Sequence, residues 1–218
     1  MVNTKIMTGL KDKTLYNEKY NIEFWHIPKN AMTSIIADLS FFWTPKDQLP
    51  KDRKIFCVIR NPLERFLSSY LMCRDKLYGP FTSVYNIRCI DPGLDIFNPD
   101  KDILKGYQDY IDEIVNNGPF DVHNMKQINF IKDYVEPTQQ NTIRFFDKIT
   151  DFILMDNLNK DLSKLFNKEI VLNKHNKANP LPIDLKKSLK EITEKNRDRI
   201  LNYYNEDYEL YNKLKHKI

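Results

Sequence analysis

The stretch FWHIPKNAMTSIIADL (24–39) decides the fold expected of this chain. It begins inside an apolar run, 22–27, which is rich in residues that favour β-structure and is ended by Pro28, as is typical of a buried strand. From Thr33 onward the apolar residues recur at helical spacing, so a helix with one apolar stripe is expected directly after the strand; its members are Ile35, Ile36, Leu39 and Phe42. The sequence therefore predicts a strand and a helix joined by a short loop that carries Lys29, which is one unit of an α/β fold.

A second unit of this kind lies at KIFCVIRNPLERFLSSY (54–70). Residues 54–59 predict another buried strand, and Asn61-Pro62 predicts a helix start because Asn is a good N-cap and Pro suits the first helical position. Two further strand candidates lie downstream, TIRFF (142–146) and DFILM (151–155). Strands that alternate with helices in this way predict an α/β fold with a mainly parallel central sheet.

Length and composition indicate a globular protein. The 218 residues favour one domain, 1–218, with the polar stretch 1–20 as a loose lead-in and 74–118 as an insertion. A net charge of +4 is too small to indicate a nucleic-acid partner. Three cysteines without a CxxC pair disfavour a disulfide framework or a zinc site. With neither a signal peptide nor an apolar run of about 20 residues, we expect a cytoplasmic protein that does not enter the membrane.

The loop after the first strand is a candidate anion site. A helix N-terminus presents N–H groups that lack helical partners, together with a partial positive charge, and a phosphate or sulfate group can accept those hydrogen bonds. Lys29 adds a full charge, and Thr33 and Ser34 add hydroxyl donors. The alternative is an ordinary strand-to-helix turn with a surface lysine. The spacing is not that of a Walker A motif, which disfavours ATP hydrolysis with Mg²⁺.

A second candidate anion site follows the second strand. Arg60 ends that strand, and Ser68 lies two helical turns beyond Asn61, away from the apolar stripe of the helix. An arginine fork and a hydroxyl that converge on one point would suit a phosphate monoester. The alternative is that Arg60 pairs with a local acid and that Ser68 is solvated. Two such sites at the ends of consecutive strands favour a ligand cleft, since ligands of open α/β sheets bind at the carboxyl ends of strands.

Taken together, these segments resemble the sulfotransferase superfamily, and most closely its carbohydrate-type (family 2) group. HIPKNAMTSI resembles the 5′-phosphosulfate loop of that family, and CVIRNPLERFLSSY resembles its 3′-phosphate strand and helix. HNMKQ (123–127) is similar to its histidine-containing segment, and FILMDNLNKDLSKL to a later strand and helix. The resemblance covers roughly 22–72 and 121–211. One departure is Met32, where the family often has a small residue.

The resemblance implies a P-loop-like, three-layer fold and the donor 3′-phosphoadenosine-5′-phosphosulfate (PAPS), with the bisphosphate PAP as product. It implies that Arg60 and Ser68 hold the 3′-phosphate and that Lys177 lies in a loop that closes over the nucleotide. The residues expected to contact the 5′-phosphosulfate are those of the first loop and helix start, Lys29, Asn30, Ala31, Met32, Thr33 and Ser34.

The expected reaction is an in-line sulfuryl transfer to a hydroxyl of a glycan or small molecule, for which no metal need be invoked. Lys29 would stabilise the developing charge, and His123 is the candidate general base. The alternative for His123 is an ordinary surface histidine. The segment 74–118 is expected to shape the acceptor pocket. Relatives that act on glycans in secretory compartments carry a membrane anchor, so an unanchored chain favours a bacterial or viral setting.

Two other functions remain open from the sequence. One is a nucleotide-binding protein of the same fold that has lost catalysis. The other is a P-loop-type kinase, which is disfavoured because the lysine-serine pair of the Walker A motif is missing. The sequence specifies no oligomeric state.

Overall fold

The computed structural model describes residues 13–78, 102–119, 123–132, 148–173 and 181–216. The chain is an α/β protein that divides into two compact units. The first, here the sheet unit, comprises Met1–Arg60, Gln127–His175 and Leu210–Ile218. The second, here the helical unit, comprises Asn61–Lys126 and Asn176–Glu209. Whether the chain folds as the single domain expected from its length stays a prediction.

The sheet unit is built on a mixed sheet whose described strands have the order β3-β1-β2-β4-β5. The strands are β1 (Lys13–Asn17), β2 (Ile22–Trp25), β3 (Phe42–Pro45), β4 (Lys54–Ile59) and β5 (Asp151–Leu154). Strand β4 pairs in parallel with both β2 and β5. Strand β1 is antiparallel to its neighbours β2 and β3, so it alone runs against the other four strands. The prediction of a mainly parallel sheet is confirmed, and the candidate strand 142–146 lies outside the described residues.

Two local expectations are wrong. Residues 13–20 were expected to belong to a loose lead-in, but they form β1 and a 3-10 turn, and Leu15 on this strand is fully buried. The reason is non-local, because β1 gains its hydrogen bonds and its burial by lying between two other strands. The helix after β2 was expected to extend its apolar stripe to Phe42. It ends at Leu39 instead, since Ser40 takes a left-handed conformation with φ 53°, and Phe42 belongs to the edge strand β3 and is 69% exposed.

Helices cover both faces of this sheet. Helices α1 (Met32–Leu39) and α5 (Leu158–Phe166) pack into one hydrophobic cluster, and α4 (Gln127–Lys132) and the last turns of α8 (Asn205–Lys215) pack into another. Strand β4 serves both clusters, because successive side chains of a strand point to opposite faces. Phe56 and Val58 are buried in the first cluster, and Ile55, Cys57 and Ile59 in the second.

The helical unit has a core rich in tyrosine. Its helices are α2 (Pro62–Tyr78), α3 (Ile103–Asn117), α6 (Ile183–Lys195) and α7 (Arg197–Tyr203). Buried tyrosine hydroxyls find partners inside this core: that of Tyr110 lies 2.6 Å from Ser69 Oγ, and that of Tyr107 lies 2.8 Å from Thr193 Oγ1. Helix α3, which falls within the predicted insertion 74–118, is therefore part of a packed core. Residues 79–101 of that insertion lie outside the described residues.

Across the described ranges, none of the helices combines the length and the apolar character needed to cross a membrane.

Candidate anion-binding site

The loop between β2 and α1 has an unusual backbone. The N–H of Asn30 donates to the carbonyl of Ile27 across 3.2 Å, which closes a tight turn. Lys29 and Ala31 both take left-handed conformations, with φ values of 73° and 61°. For residues with a Cβ this conformation costs roughly 1 kcal/mol or more each. Strain of this kind is concentrated at functional sites, so the loop is a candidate for a ligand-binding role.

Helix α1 starts at this loop without a side-chain cap. Ala31 occupies the N-cap position, and the first helical hydrogen bond runs from Ile35 N to Ala31 O across 3.0 Å. The N–H groups of Met32, Thr33 and Ser34 therefore precede the first helical bond and have no acceptor within the helix. They lie at the positive end of the helix dipole, which favours an anion.

Met32, the departure from the family pattern, has an internal role. Its side chain packs against the hydrophobic cluster that α1 and α5 form on the sheet, together with that of Ala31. A bulky residue is thus accommodated at this position by the core of the sheet unit.

A cavity of about 440 Å³ lies beside the start of α1. Its walls come from the first turn of α1, the β5–α5 turn and the segment that follows α5, namely Ala31, Ser34, Met155, Asp156, Asn157, Leu158, Asn159, Lys160, Leu172 and Asn173. Its volume lies within the usual range of small-molecule sites, roughly 300–1,000 Å³. The walls combine apolar side chains with amides, a hydroxyl, one carboxylate and one lysine. Such a lining can hold a flat, partly polar ligand.

Arg60 reaches the Lys29 loop from the next strand. Its Nη1 donates to the main-chain oxygen of Lys29 across 3.2 Å. Strands β2 and β4 are parallel neighbours, with Trp25 opposite Cys57, so the residues that follow them lie at one edge of the sheet. The structure thus brings together Lys29 and Arg60, the two cations that the sequence assigned to separate anion sites.

Asn30 is turned into the protein. It is fully buried, and its Nδ2 donates to Val58 O and to Gln127 Oε1, each across 2.7 Å. Its main-chain N–H is used in the turn to Ile27. This geometry supports a positioning role for Asn30 in place of the direct contact with the phosphosulfate that the resemblance implies.

Gln127 is the residue that the sequence interpretation missed. The spacing of Asn124 and Gln127 is that of a capping box and predicts a helix that starts after Asn124, but α4 begins at Gln127 itself. Its Oε1 accepts from Arg60 N across 3.0 Å, and its Nε2 donates to Arg60 O across 2.9 Å. No local pattern signals this contact, because the two residues are 67 positions apart in the chain.

Ser68 and His123 belong to the helical unit. Both are half-buried, Ser68 on α2 and His123 in the turn before α4. The segment after His123 is anchored: Tyr204 Oη donates to the carbonyl of Asn124, and Arg65 Nη1 donates to that of Met125 across 2.6 Å. The convergence of Ser68 with Arg60, and of His123 with the donor loop, stays a prediction. Lys177 lies outside the described residues.

His26, at the end of the β2 region, is a structural residue. Burial lowers the pKa of His26 to about 4, and its ring meets the ring of Trp43 edge-on at a centroid distance of 5.3 Å. The imidazole is therefore neutral at pH 7.

Within the part of the chain that the structure describes, no group of three or more His, Cys, Asp or Glu side chains is placed to hold a metal ion. Comparison with protein-family models, curated proteins and solved structures finds no match for this chain.

Proposed function

We propose that this protein is a sulfotransferase with a P-loop-like fold that transfers a sulfuryl group from PAPS to an acceptor hydroxyl. The observation that carries the proposal is the loop between β2 and α1. Its backbone is strained at Lys29 and Ala31, and the helix that follows starts without a side-chain cap. Ala31 and Ser34 line a cavity of about 440 Å³, and Arg60 from the neighbouring strand donates to the main-chain oxygen of Lys29. The sequence resemblance identifies this loop with the 5′-phosphosulfate loop.

The 5′-phosphosulfate would bind at the start of α1. The first-turn N–H groups, the hydroxyls of Thr33 and Ser34 and the ammonium of Lys29 are all donors, as a group with several anionic oxygens requires. The residues of the first turn contribute through their main chain, so the packed side chain of Met32 does not interfere. Asn30 supports the loop from inside.

The nucleoside would occupy the cavity. The side chains of Met155, Leu158 and Leu172 offer apolar surface to a base, and the amides of Asn157 and Asn159 offer hydrogen bonds to its edges. The 3′-phosphate is assigned to Arg60 and Ser68. Lys177 is assigned to a covering loop.

The reaction is a direct displacement at sulfur. The acceptor oxygen forms a bond to sulfur while the bond from sulfur to the bridging phosphate oxygen breaks. The bisphosphate PAP leaves with the electron pair of the broken sulfur–oxygen bond. The acceptor proton passes to a base, for which His123 is the candidate. Lys29 and the start of α1 stabilise the charge that grows on the leaving oxygen. The acceptor class is a hydroxyl of a glycan or small molecule.

The experiment has a binding arm and a transfer arm. PAP binding is measured by calorimetry for the wild type, Lys29→Ala and the matched control Lys51→Ala, which removes an exposed lysine outside the loop. We expect micromolar binding by the wild type and the control, and a loss of at least tenfold for Lys29→Ala. Transfer of ³⁵S-sulfate from labelled PAPS is then measured on a panel of oligosaccharides and small hydroxyl compounds, with His123→Ala as the inactive variant.

The outcomes separate the candidate functions. Transfer that His123→Ala abolishes supports the enzyme with its base. Tight PAP binding without transfer to any acceptor supports the nucleotide-binding protein that has lost catalysis. Failure of PAPS and PAP to bind the wild type overturns the proposal, and binding of MgATP in their place would favour a kinase.

A further inference from the structure

We infer that Gln127 is a positioning residue that holds the Lys29 loop and Arg60 in register, so that a nucleotide carrying two phosphate groups is recognised as one ligand. This inference rests on the proposed function, because it concerns the donor site named there. It adds a residue to which neither the sequence interpretation nor the family resemblance assigned a role at the donor site.

The side-chain amide of Gln127 joins the two segments directly. It is fully buried and makes three described hydrogen bonds, two to the main chain of Arg60 and one from Asn30 Nδ2. The pair of bonds to Arg60 fixes both the N–H and the carbonyl of that residue, much as a neighbouring strand would. The third bond fixes the side chain on which the Lys29 loop is folded.

Each partner has a second link that extends the network. Asn30 also donates to Val58 O on β4 across 2.7 Å, and Arg60 Nη1 donates to Lys29 O across 3.2 Å. The two anion-binding segments are therefore tied at their main chains, at a buried side chain and at a guanidinium. Each of these hydrogen bonds resists displacement, because a displaced group would lose its partner in the low-dielectric interior.

The consequence is a coupling between the two anion-binding segments. A ligand that contacts only the Lys29 loop does not depend on where Arg60 lies relative to that loop. A bisphosphate that contacts both segments binds best when the Lys29 loop and Arg60 are aligned with each other. Removal of the amide should therefore weaken the bisphosphate more than a 5′-monophosphate. Couplings between linked sites commonly correspond to roughly 5- to 150-fold in affinity.

The test is Gln127→Met, which keeps the volume of the side chain and removes its hydrogen bonds. Dissociation constants for PAP and for adenosine 5′-phosphate are measured by calorimetry at a temperature where circular dichroism shows each protein to be folded. We expect the PAP constant to rise by roughly tenfold or more. The ratio of the adenosine 5′-phosphate constant to the PAP constant reports what the 3′-phosphate contributes to affinity, and this ratio should fall.

Thr150→Val is the matched control. The hydroxyl of Thr150 binds the other end of β4, where it lies 3.1 Å from Ile55 N and 2.9 Å from Ile55 O. It should lower thermal stability and leave both nucleotide constants within twofold. A merely structural role for Gln127 predicts the same behaviour for Gln127→Met, and that result would overturn the inference.

Two further outcomes keep the inference separate from the proposed function. If the wild type binds neither nucleotide, both the donor site and the inference are refuted. If the wild type binds PAP and Gln127→Met binds it equally tightly, the inference alone is refuted. If Gln127→Met does not fold, Gln127→Glu replaces it. That variant keeps the acceptor for Arg60 N and loses the donor to Arg60 O, and unchanged PAP affinity in it would likewise overturn the inference.

Discussion

The guanidinium of Arg60 donates a hydrogen bond to the main-chain oxygen of Lys29 across 3.2 Å. These residues follow two strands that are parallel neighbours, β2 and β4, and they are 31 positions apart in the chain. The contact means that a cation from one strand end stabilises the loop at the other.

The free energy of unfolding should be sensitive to small changes in the side chain of Asn30. Its Nδ2 donates to two buried acceptors, Val58 O and Gln127 Oε1. Asn30→Ala should lower the free energy of unfolding by about 1–3 kcal/mol, since it leaves these acceptors with fewer partners. Asn30→Asp should cost more than Asn30→Ala at pH 7, because a carboxylate would face two oxygens. Urea denaturation of the three proteins measures this.

The order of these two variants is the decisive result. Protonation would give the introduced carboxyl one donor, so the cost of Asn30→Asp relative to the wild type should shrink toward pH 4. Equal stability of Asn30→Asp and the wild type at pH 7 would show that Asn30 does not donate as described.

Glycine should have different effects on stability at two alanines, one just before α1 and one within it. Ala31 has φ 61°, whereas Ala37 is an exposed residue inside the helix. Ala31→Gly relieves a left-handed conformation that costs roughly 1 kcal/mol, and this offsets or exceeds the entropy gained by the unfolded chain. Ala37→Gly should lower stability by about 1 kcal/mol. Thermal melts of both variants give the comparison, and a similar loss in both would contradict the strained loop.

The buried pair between Glu23 and Arg53 should be a major support of the sheet unit. Their atoms are 2.5 Å apart, the Glu23 side chain is 2% exposed, and Thr14 Oγ1 also donates to it across 2.8 Å. Arg53→Met leaves a buried carboxylate without its cation, and we expect a loss of about 3 kcal/mol in the free energy of unfolding.

An exposed pair supplies the control for this prediction. Arg197 lies 3.2 Å from Glu194 on the surface, with side chains 44% and 62% exposed. Arg197→Met should change stability by no more than about 0.5 kcal/mol. Similar losses for Arg53→Met and Arg197→Met would mean that burial does not govern the strength of the Glu23 pair.

The core of the helical unit should show coupling between Ser69 and Tyr110. Both are fully buried, their hydroxyl oxygens are 2.6 Å apart, and burial raises the pKa of Tyr110 well above its ordinary value. Ser69→Ala and Tyr110→Phe should each cost about 1–2 kcal/mol. The double variant should cost about 1 kcal/mol less than their sum, since the second change removes a group that has already lost this hydrogen bond. Strict additivity would argue against the hydrogen bond.

His26 should make the protein less stable in mild acid. Burial lowers the pKa of His26 to about 4, below the unfolded value of about 6.5, so the unfolded chain takes up the proton first. The contribution of His26 is complete above pH 6.5 and is lost as the pH falls toward 4. Because the ring is half-buried, the loss is on the order of 2 kcal/mol at most.

The control for this prediction is His26→Gln, because carboxylates also contribute to acid sensitivity. Urea denaturation at pH 7 and at pH 4.5 is compared for the two proteins. The wild type should lose more stability than His26→Gln between these values. Identical losses would show that His26 does not titrate differently in the folded and unfolded states.

Local patterns predicted the elements that frame the candidate site. The apolar run at 54–59 matches β4 residue for residue, and the runs at 22–27 and 151–155 contain β2 and β5. These strands were predictable because each buries a continuous apolar stretch between turn signals. Strands β1 and β3 were not, since KTLYN and FWTP become strands only by pairing with each other and, for β1, with β2.

The sequence by itself determined the alternation of strands and helices, the helix starts after β2 and β4, and the presence of Lys29 and Arg60 beyond those strands. Only the tertiary structure decided that these two residues touch, that Asn30 points inward and that Gln127 joins their segments. The physical reason is that periodicity and capping act over a few residues, whereas Asn30 and Gln127 are 97 positions apart. Their hydrogen bond exists because buried polar groups must find partners wherever the packed fold places them.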